Sequence, residues 1–201
     1  MSFPQVQVAL TGNIGSGKST VCRMLTALKI PVFYADQAVR DLFEHSEAVR
    51  ESIRRSYPQA FEEGRISRKI LGDIVFENPE RLKQLESLLH PLVKEKRRAF
   101  INLNSFAPLL VFEIPLLYEE GLENEFDKVL VVACSKNLQK QRVLNRPHMT
   151  EEKYAAILKR QSPAEENLAR ADYVITTEVS KLNAFRQLSA ILRSCSRENL
   201  L

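Results

Sequence analysis

Cysteine is scarce in this chain, and its spacing excludes two kinds of site. The 201 residues include three cysteines, Cys22, Cys134 and Cys195, which lie far apart. An odd number of widely spaced cysteines does not make a disulfide framework, and no pair has the short spacing of metal ligands. The sequence therefore predicts free thiols in a reducing compartment, the cytoplasm.

Long apolar segments are also absent. No apolar run approaches the roughly 20 residues that span a bilayer. The first residues lead directly into a strand and lack the charged, apolar and small-residue pattern of a signal peptide. We also find no internal repeat and no low-complexity linker. We therefore expect a cytoplasmic protein with no membrane partner.

Charge of one sign is present only in slight excess. The chain has 29 basic and 25 acidic residues, for a formal net charge of +4. This excess is too small and too dispersed to indicate a nucleic-acid partner, although it fits a partner that carries several phosphates. The densest basic patch, at 94–98, favours one solvated helix face. The oligomeric state is not written in the sequence.

Five short apolar runs predict buried strands. These runs are at 6–10, 31–34, 109–114, 128–133 and 173–176. They lack polar alternation and are separated by helical patterns, which is typical of a doubly wound α/β fold with a parallel sheet. The predicted single domain has a core of 1–60, 107–134 and 162–201. The same domain is predicted to contain an all-helical insertion at about 61–106 and a helical lid at about 135–161.

A phosphate-binding loop (P-loop) follows the first strand. Gly12 and Gly17 bracket four residues before Lys18 and Ser19, as the P-loop pattern requires. Glycines let backbone N–H groups approach phosphate, Lys18 reaches the β- and γ-oxygens, and the Ser19 hydroxyl ligates Mg²⁺. The predicted ATP-binding residues are Gly12, Asn13, Ile14, Gly15, Ser16, Gly17, Lys18, Ser19 and Thr20.

A carboxylate ends the second strand. Asp36 is a candidate to orient an attacking hydroxyl, to accept its proton or to hold a Mg²⁺ water. It is an equally good N-cap for the helix that follows. Arg40, one turn later, is either part of the same site or the salt-bridge partner of Asp36.

Several further motifs resemble those of the dephospho-coenzyme A kinase family. They occur in the family's order and spacing from about residue 8 to residue 176. The motifs are the P-loop, Ala35-Asp36 with Arg40, Gly64 to Arg68, Leu89-His90-Pro91, Pro115 to Glu119, Gln139 to Arg146, Gln161, and Ala171 to Ile175. The resemblance implies a P-loop three-layer fold, with the insertion binding the acceptor. It also implies ATP- and Mg²⁺-dependent phosphorylation of the ribose 3′-hydroxyl of dephospho-coenzyme A, the final step of coenzyme A synthesis.

The resemblance also implies residue roles. Asp36, Lys18 and Arg142 would be catalytic, and Arg146 would bind ATP with Arg142, both on one face of a lid helix. The acceptor would contact Asp36, Arg40, His90, Pro115, Leu116, Leu117 and Glu119. Simpler interpretations stay open: His90 as a helix-ending residue, Leu116 and Leu117 as core, and the arginines as a solvated face.

Two positions depart from the family pattern. Tyr34 stands where the family usually has an aspartate, and Thr177 stands where an asparagine is common.

Two rival functions also remain. One is another P-loop kinase that acts on a nucleoside, a nucleoside monophosphate or a similar alcohol. The other is a P-loop ATPase or switch without a small acceptor.

Overall fold

The computed structural model describes residues 5–198, with side chains described as far as Cys195. The chain forms two compact units. One unit, here called the sheet unit, contains the chain up to Tyr34 and from Asn104 onward, and the other, the helical unit, is Ala35–Leu103.

A five-stranded parallel sheet is the frame of the sheet unit. Its strands are β1 (Val6–Thr11), β2 (Val32–Tyr34), β5 (Leu109–Glu113), β6 (Lys128–Ala133) and β7 (Tyr173–Thr176). Their spatial order is β2-β5-β1-β6-β7, and every pair is parallel. All carboxyl ends therefore lie at one edge of the sheet, where α/β proteins bind ligands. The predicted α/β fold and its five parallel strands are confirmed.

Helices cover this sheet because the strands are apolar on both faces. The helices are α1 (Lys18–Ala27), α6 (Lys136–Leu144), α7 (Glu151–Lys159), α8 (Ala164–Ala169) and α9 (Lys181–Glu198). One core joins β1, β5, β6 and β7 to the buried Leu25 of α1 and Leu188 of α9. No helix within residues 5–198 is long and apolar enough to cross a membrane.

The helical unit has its own core. It contains α2 (Ala35–His45), α3 (Glu47–Ser56), α4 (Arg68–Phe76) and α5 (Pro79–Leu103). Leu42, Ile53, Leu71 and Leu89 contribute one buried side chain from each helix. Ser46 caps α3 by accepting the Val49 N–H at 3.3 Å. The insertion predicted at about 61–106 is shorter than this unit, because α2 and α3 share its core.

The insertion is not all-helical, so that prediction is wrong. β3 (Phe61–Glu62) and β4 (Arg65–Ile66) pair as an antiparallel hairpin. The two residues between them, Glu63 and Gly64, have φ of 48° and 76°. Positive φ at both positions is the geometry of a type I′ turn, which matches the twist of a hairpin. Strands of two residues are too short to show an alternating pattern in sequence.

Candidate active site

The loop between β1 and α1 requires its two motif glycines. A Cβ built on Gly12 would lie 2.2 Å from the Val132 carbonyl oxygen, far inside van der Waals contact. Gly17 has a φ of 105°, in the left-handed region that favours glycine. The sequence motif therefore corresponds to a tightly constrained loop packed against β6.

The amino end of α1 fits an anion. Gly17, the N-cap residue, offers no side-chain acceptor to the first N–H groups of the helix. The Ser16 hydroxyl is buried, and it has no hydrogen-bond partner among the described residues. Backbone N–H groups and a helix dipole favour a phosphate at such a position.

Two glutamines hold the peptide groups of Ile14. Gln139 Nε2 donates to the Ile14 carbonyl at 2.8 Å, and the Ile14 N–H donates to Gln161 Oε1 at 2.9 Å. Gln139 is buried on α6, and its Oε1 accepts from the Tyr154 hydroxyl of α7 at 3.3 Å. Gln161 lies two residues beyond the end of α7. The predicted lid segment at 135–161 is therefore bonded to the loop near both of its ends.

Side chains outside the loop bind the carbonyls of Ile14 and Ser16. In a trans peptide, the carbonyl of one residue and the N–H of the next point in opposite directions. Gln139 binds the Ile14 carbonyl, so the Gly15 N–H points away from Gln139. The Thr177 hydroxyl donates to the Ser16 carbonyl at 2.6 Å, so the Gly17 N–H points away from Thr177. The N–H groups of Gly15 and Gly17 are thus turned away from Gln139 and Thr177.

Lys18 and Ser19 begin α1 at this loop. Lys18 Nζ donates to the Gly12 carbonyl, and to the Asn13 carbonyl at 3.3 Å, which keeps an ammonium group beside the loop. The exposed Ser19 lies in the first turn of α1. Within residues 5–198, no three His, Cys, Asp or Glu side chains form a group that could hold a metal ion. A cation at Ser19 would therefore take its other ligands from outside such a cluster, for example from phosphate oxygens or water.

Arg142, on α6, is held against the loop. Its Nη1 donates to Thr177 Oγ1 at 2.8 Å and to the Gly15 carbonyl at 3.4 Å. Its Nη2 donates to the Thr177 carbonyl at 2.7 Å. Three bonds fix the plane of the guanidinium, which places a permanent positive charge beside the P-loop.

Arg146 does not share a helix with Arg142, so the prediction of one helical face is wrong. α6 ends at Leu144, and the exposed Arg146 follows, its N–H donating to the Val143 carbonyl at 3.0 Å. The helix stops before Arg146 because Pro147 follows that residue, and the residue before a proline is disfavoured in the α conformation.

Glu113 is a charged residue at the carboxyl edge of the sheet that the sequence analysis did not single out. It ends β5 and lies in register with Leu10 of β1 and Tyr34 of β2, between the two strands that lead to Lys18 and Asp36. Burial raises the pKa of the neighbouring Cys22 thiol to about 12, with a further rise from Glu113 and an opposing effect from Lys18. A charged residue that ends an apolar strand was the signal in the sequence.

The segment at 115–119 connects to the loop through Ser162. Glu119 Oε1 accepts the Ser162 N–H at 2.5 Å, and the Ser162 carbonyl accepts from Asn13 Nδ2 at 3.0 Å. Pro115 is half-buried, and its carbonyl accepts from the Thr11 hydroxyl at 3.5 Å. These contacts bring Glu119 into the network around the P-loop.

The other side chains of this segment are partly core. Leu117 is fully buried and Leu116 is half-buried. Tyr118 is also buried, and the Arg170 guanidinium carbon lies 4.3 Å from the centre of its ring. The structure thus places Leu117 as a packing residue, whereas Leu116 retains some exposed surface.

The remaining predicted residues belong to the helical unit. Asp36 is exposed in the first turn of α2, inside the helix rather than at its cap. Arg40 Nε donates to Gln37 Oε1 at 3.0 Å. His90 is exposed within α5, which continues through Pro91, so His90 does not end a helix. By chain connection, Asp36 is the second residue beyond β2, which ends at the carboxyl edge of the sheet.

Comparison with known proteins identifies a family for this chain. A family model described as dephospho-CoA kinase matches residues 6–182. A dephospho-CoA kinase of Novosphingobium aromaticivorans is 40% identical over 192 residues, covering 96% of this chain and 96% of the relative.

Solved structures are similar over the same length. A protein of Thermus thermophilus has a TM-score of 0.85 and 36% identity, covering 94% of this chain and 97% of its own. A dephospho-CoA kinase from Campylobacter jejuni has a TM-score of 0.67 and 29% identity, covering 96% and 98%. The resemblance seen in the motifs is confirmed: this protein belongs to the dephospho-CoA kinase family.

Proposed function

We propose that the protein transfers the γ-phosphoryl group of ATP to the ribose 3′-hydroxyl of dephospho-CoA, forming CoA and ADP. The observation that carries this proposal is the P-loop at the amino end of α1 in a chain that is 40% identical to a dephospho-CoA kinase over nearly its full length. A reaction that consumes ATP agrees with the cytoplasmic location expected from the sequence.

The nucleotide site is proposed to extend from Gly12 to Thr20. The N–H groups of Gly15 and Gly17 and the amino end of α1 would bind the β-phosphate, and Lys18 would neutralise the β- and γ-oxygens. The Ser19 hydroxyl would ligate Mg²⁺ together with phosphate oxygens. Mg²⁺ commonly keeps waters and few protein ligands, which fits a single hydroxyl at this place. When bound, the ion would reduce the repulsion between the phosphates and the attacking oxygen.

Asp36 is proposed to orient the ribose hydroxyl and to accept its proton. A carboxylate is acceptor-only when ionised, so it can hold a hydroxyl hydrogen in one direction. Most of the rate increase is expected from positioning this hydroxyl in line with the γ-phosphorus and from neutralising charge. Arg142 would contribute charge from its fixed place beside the loop, and Arg146 would bind ATP from the turn after α6.

We also propose that the insertion at about 61–106 binds the acceptor and that the segment at about 135–161 closes as a lid. The acceptor-site residues would be Arg40, His90, Pro115, Leu116, Leu117 and Glu119, with Asp36. His90 and Arg40 have exposed or half-exposed polar groups that suit a phosphate-bearing acceptor. Leu117 is fully buried, which supports a role in shaping this site rather than direct contact.

An acceptor assay tests the function. ADP formation from MgATP is measured with dephospho-CoA, with adenosine, with adenosine monophosphate and with no acceptor. Stimulation by dephospho-CoA alone, with CoA as product, supports the proposal. Stimulation by adenosine or its monophosphate would assign a different P-loop kinase activity. Hydrolysis that is indifferent to every acceptor would favour an ATPase or switch.

A further inference from the structure

Thr177, the first residue after β7, is more constrained than a loop residue needs to be. Its side chain is buried, with 9% of the residue exposed. Its backbone N–H donates to the Ala133 carbonyl at 3.0 Å, which ties it to the end of β6. The residue is therefore held at the carboxyl edge of the sheet, where the P-loop also lies.

The Thr177 hydroxyl connects two parts of the site. It donates to the Ser16 carbonyl at 2.6 Å and accepts from Arg142 Nη1 at 2.8 Å. The Thr177 carbonyl accepts from Arg142 Nη2 at 2.7 Å. One residue thus bonds both terminal nitrogens of the guanidinium and one loop carbonyl.

The Thr177 side chain also fits closely against Gly17, the N-cap residue of α1. A Cβ built on Gly17 would lie 3.0 Å from both Thr177 Cγ2 and Thr177 Oγ1. Contacts of 3.0 Å are tighter than ordinary carbon contacts, so the threonine occupies the space that a side chain at position 17 would need. The Thr177 methyl group packs against Gly17, and the Thr177 hydroxyl forms hydrogen bonds with Ser16 and Arg142.

We propose that Thr177 is a positioning residue for the nucleotide, acting through the P-loop and Arg142. Its hydroxyl fixes the Ser16 carbonyl, which sets the direction of the Gly17 N–H because the peptide is planar. The same hydroxyl and the adjacent carbonyl set the plane of Arg142. This inference rests on the proposed function only in taking ATP as the phosphoryl donor.

Three substitutions distinguish the role of the Thr177 hydroxyl from the role of its methyl group. Thr177→Ala removes both, Thr177→Val removes the hydroxyl and keeps the branched shape, and Thr177→Ser keeps the hydroxyl. Thr176→Ala is the matched control, because Thr176 is the preceding residue, is exposed, and places its hydroxyl 3.4 Å from Gln187 Oε1, away from the loop.

MgADP affinity is measured by calorimetry, and the KM for ATP, the KM for dephospho-CoA and kcat are measured kinetically. We expect Thr177→Ala and Thr177→Val to weaken MgADP binding and raise the KM for ATP by about tenfold, the effect of losing a hydrogen bond to a charged group. The KM for dephospho-CoA should stay unchanged. Thr177→Ser and Thr176→Ala should stay within about twofold of the wild type in MgADP affinity.

Several outcomes would overturn the proposal. One is wild-type MgADP affinity in Thr177→Val, and another is equal loss in Thr177→Ser and Thr177→Ala, which would assign the role to the methyl group. If Thr177→Ala does not fold, the MgADP affinity of Thr177→Val alone tests the role of the hydroxyl. A wild-type protein that binds MgADP but does not phosphorylate dephospho-CoA would end the proposed function and leave the binding test of Thr177 intact.

Discussion

Asp36, Lys18 and Arg142 carry the charges on which the proposed transfer depends. Lys18 and Arg142 are fixed beside the P-loop by bonds to its carbonyls. Asp36 is exposed at the start of α2, as a group that meets a substrate hydroxyl must be. Tyr34 and Ala35 precede it, so Asp36 is the one carboxylate of the Tyr34-Ala35-Asp36 segment.

Asp36→Asn is expected to lower kcat by about 100-fold or more, because an amide cannot accept the hydroxyl proton and presents donors as well as an acceptor. Steady-state kinetics with saturating MgATP and dephospho-CoA measure this effect. Asp41→Asn, on the same helix, is the control, since Asp41 Oδ1 is already bonded to Gln37 Nε2 at 2.7 Å. A near-normal kcat in Asp36→Asn would remove Asp36 from the chemistry.

The Cys22 thiol should resist alkylation. Burial above all, and Glu113 next, raise its pKa to about 12, so the reactive thiolate is rarer than at an ordinary cysteine at every pH below that value. Iodoacetamide labelling of the native protein at pH 8, followed by mass spectrometry, should leave Cys22 unmodified. Labelling should become rapid in denaturant, where the thiol is exposed. Fast labelling in the native protein at pH 8 would contradict this result.

At the scale of elements, α5 is the unusual one. This helix runs from Pro79 to Leu103 with Pro91 inside it. A proline in a helix interior removes one backbone hydrogen bond and crowds the preceding turn. Pro79, in contrast, is the first residue of the helix, where proline is favoured. The helix therefore contains one compatible and one costly proline.

Pro91→Ala should stabilise the protein by about 1–3 kcal/mol, because alanine restores the missing donor. Urea unfolding of the full chain measures the change in midpoint. Pro79→Ala should give no gain, since its N–H would have no partner within the helix. A midpoint for Pro91→Ala that is equal to or below that of the wild type would show that the helix is shaped around this proline.

Elements were predictable from sequence where a pattern was long enough to be seen. The third predicted strand, 109–114, ends one residue later than β5, and the fourth and fifth have the observed bounds of β6 and β7. The hairpin of β3 and β4 was missed because two-residue strands have no period. The end of α6 was predictable in principle, because Pro147 marks it.

At the scale of the whole molecule, the residues around the loop come from distant parts of the chain. Ser16 and Thr177 are 161 residues apart in sequence, and Asn13 and Ser162 are 149 apart. A motif shows which residues bind phosphate, because its spacing is local. It does not show which distant side chains bind the carbonyls of Ile14 and Ser16, because those contacts exist only after the sheet and helices have packed.

Ligand binding should stabilise the whole molecule in a way that depends on Lys18. MgATP that binds only the folded state adds about 2.7 kcal/mol of stability at a concentration 100 times its dissociation constant. A thermal melt of the wild type with MgATP should therefore shift upward, whereas Lys18→Ala should fold normally and show little shift. An equal shift in both proteins would place the nucleotide elsewhere, and an unfolded Lys18→Ala would make Lys18 a structural residue.

The most direct measurement is transfer of label from ATP labelled at the γ-phosphate to dephospho-CoA by the purified protein. The proposed function predicts labelled CoA whose label is removed by a 3′-specific nucleotidase, with one ADP formed for each CoA. Label that remains in ATP, appears as inorganic phosphate, or lies at another position of the acceptor would contradict it.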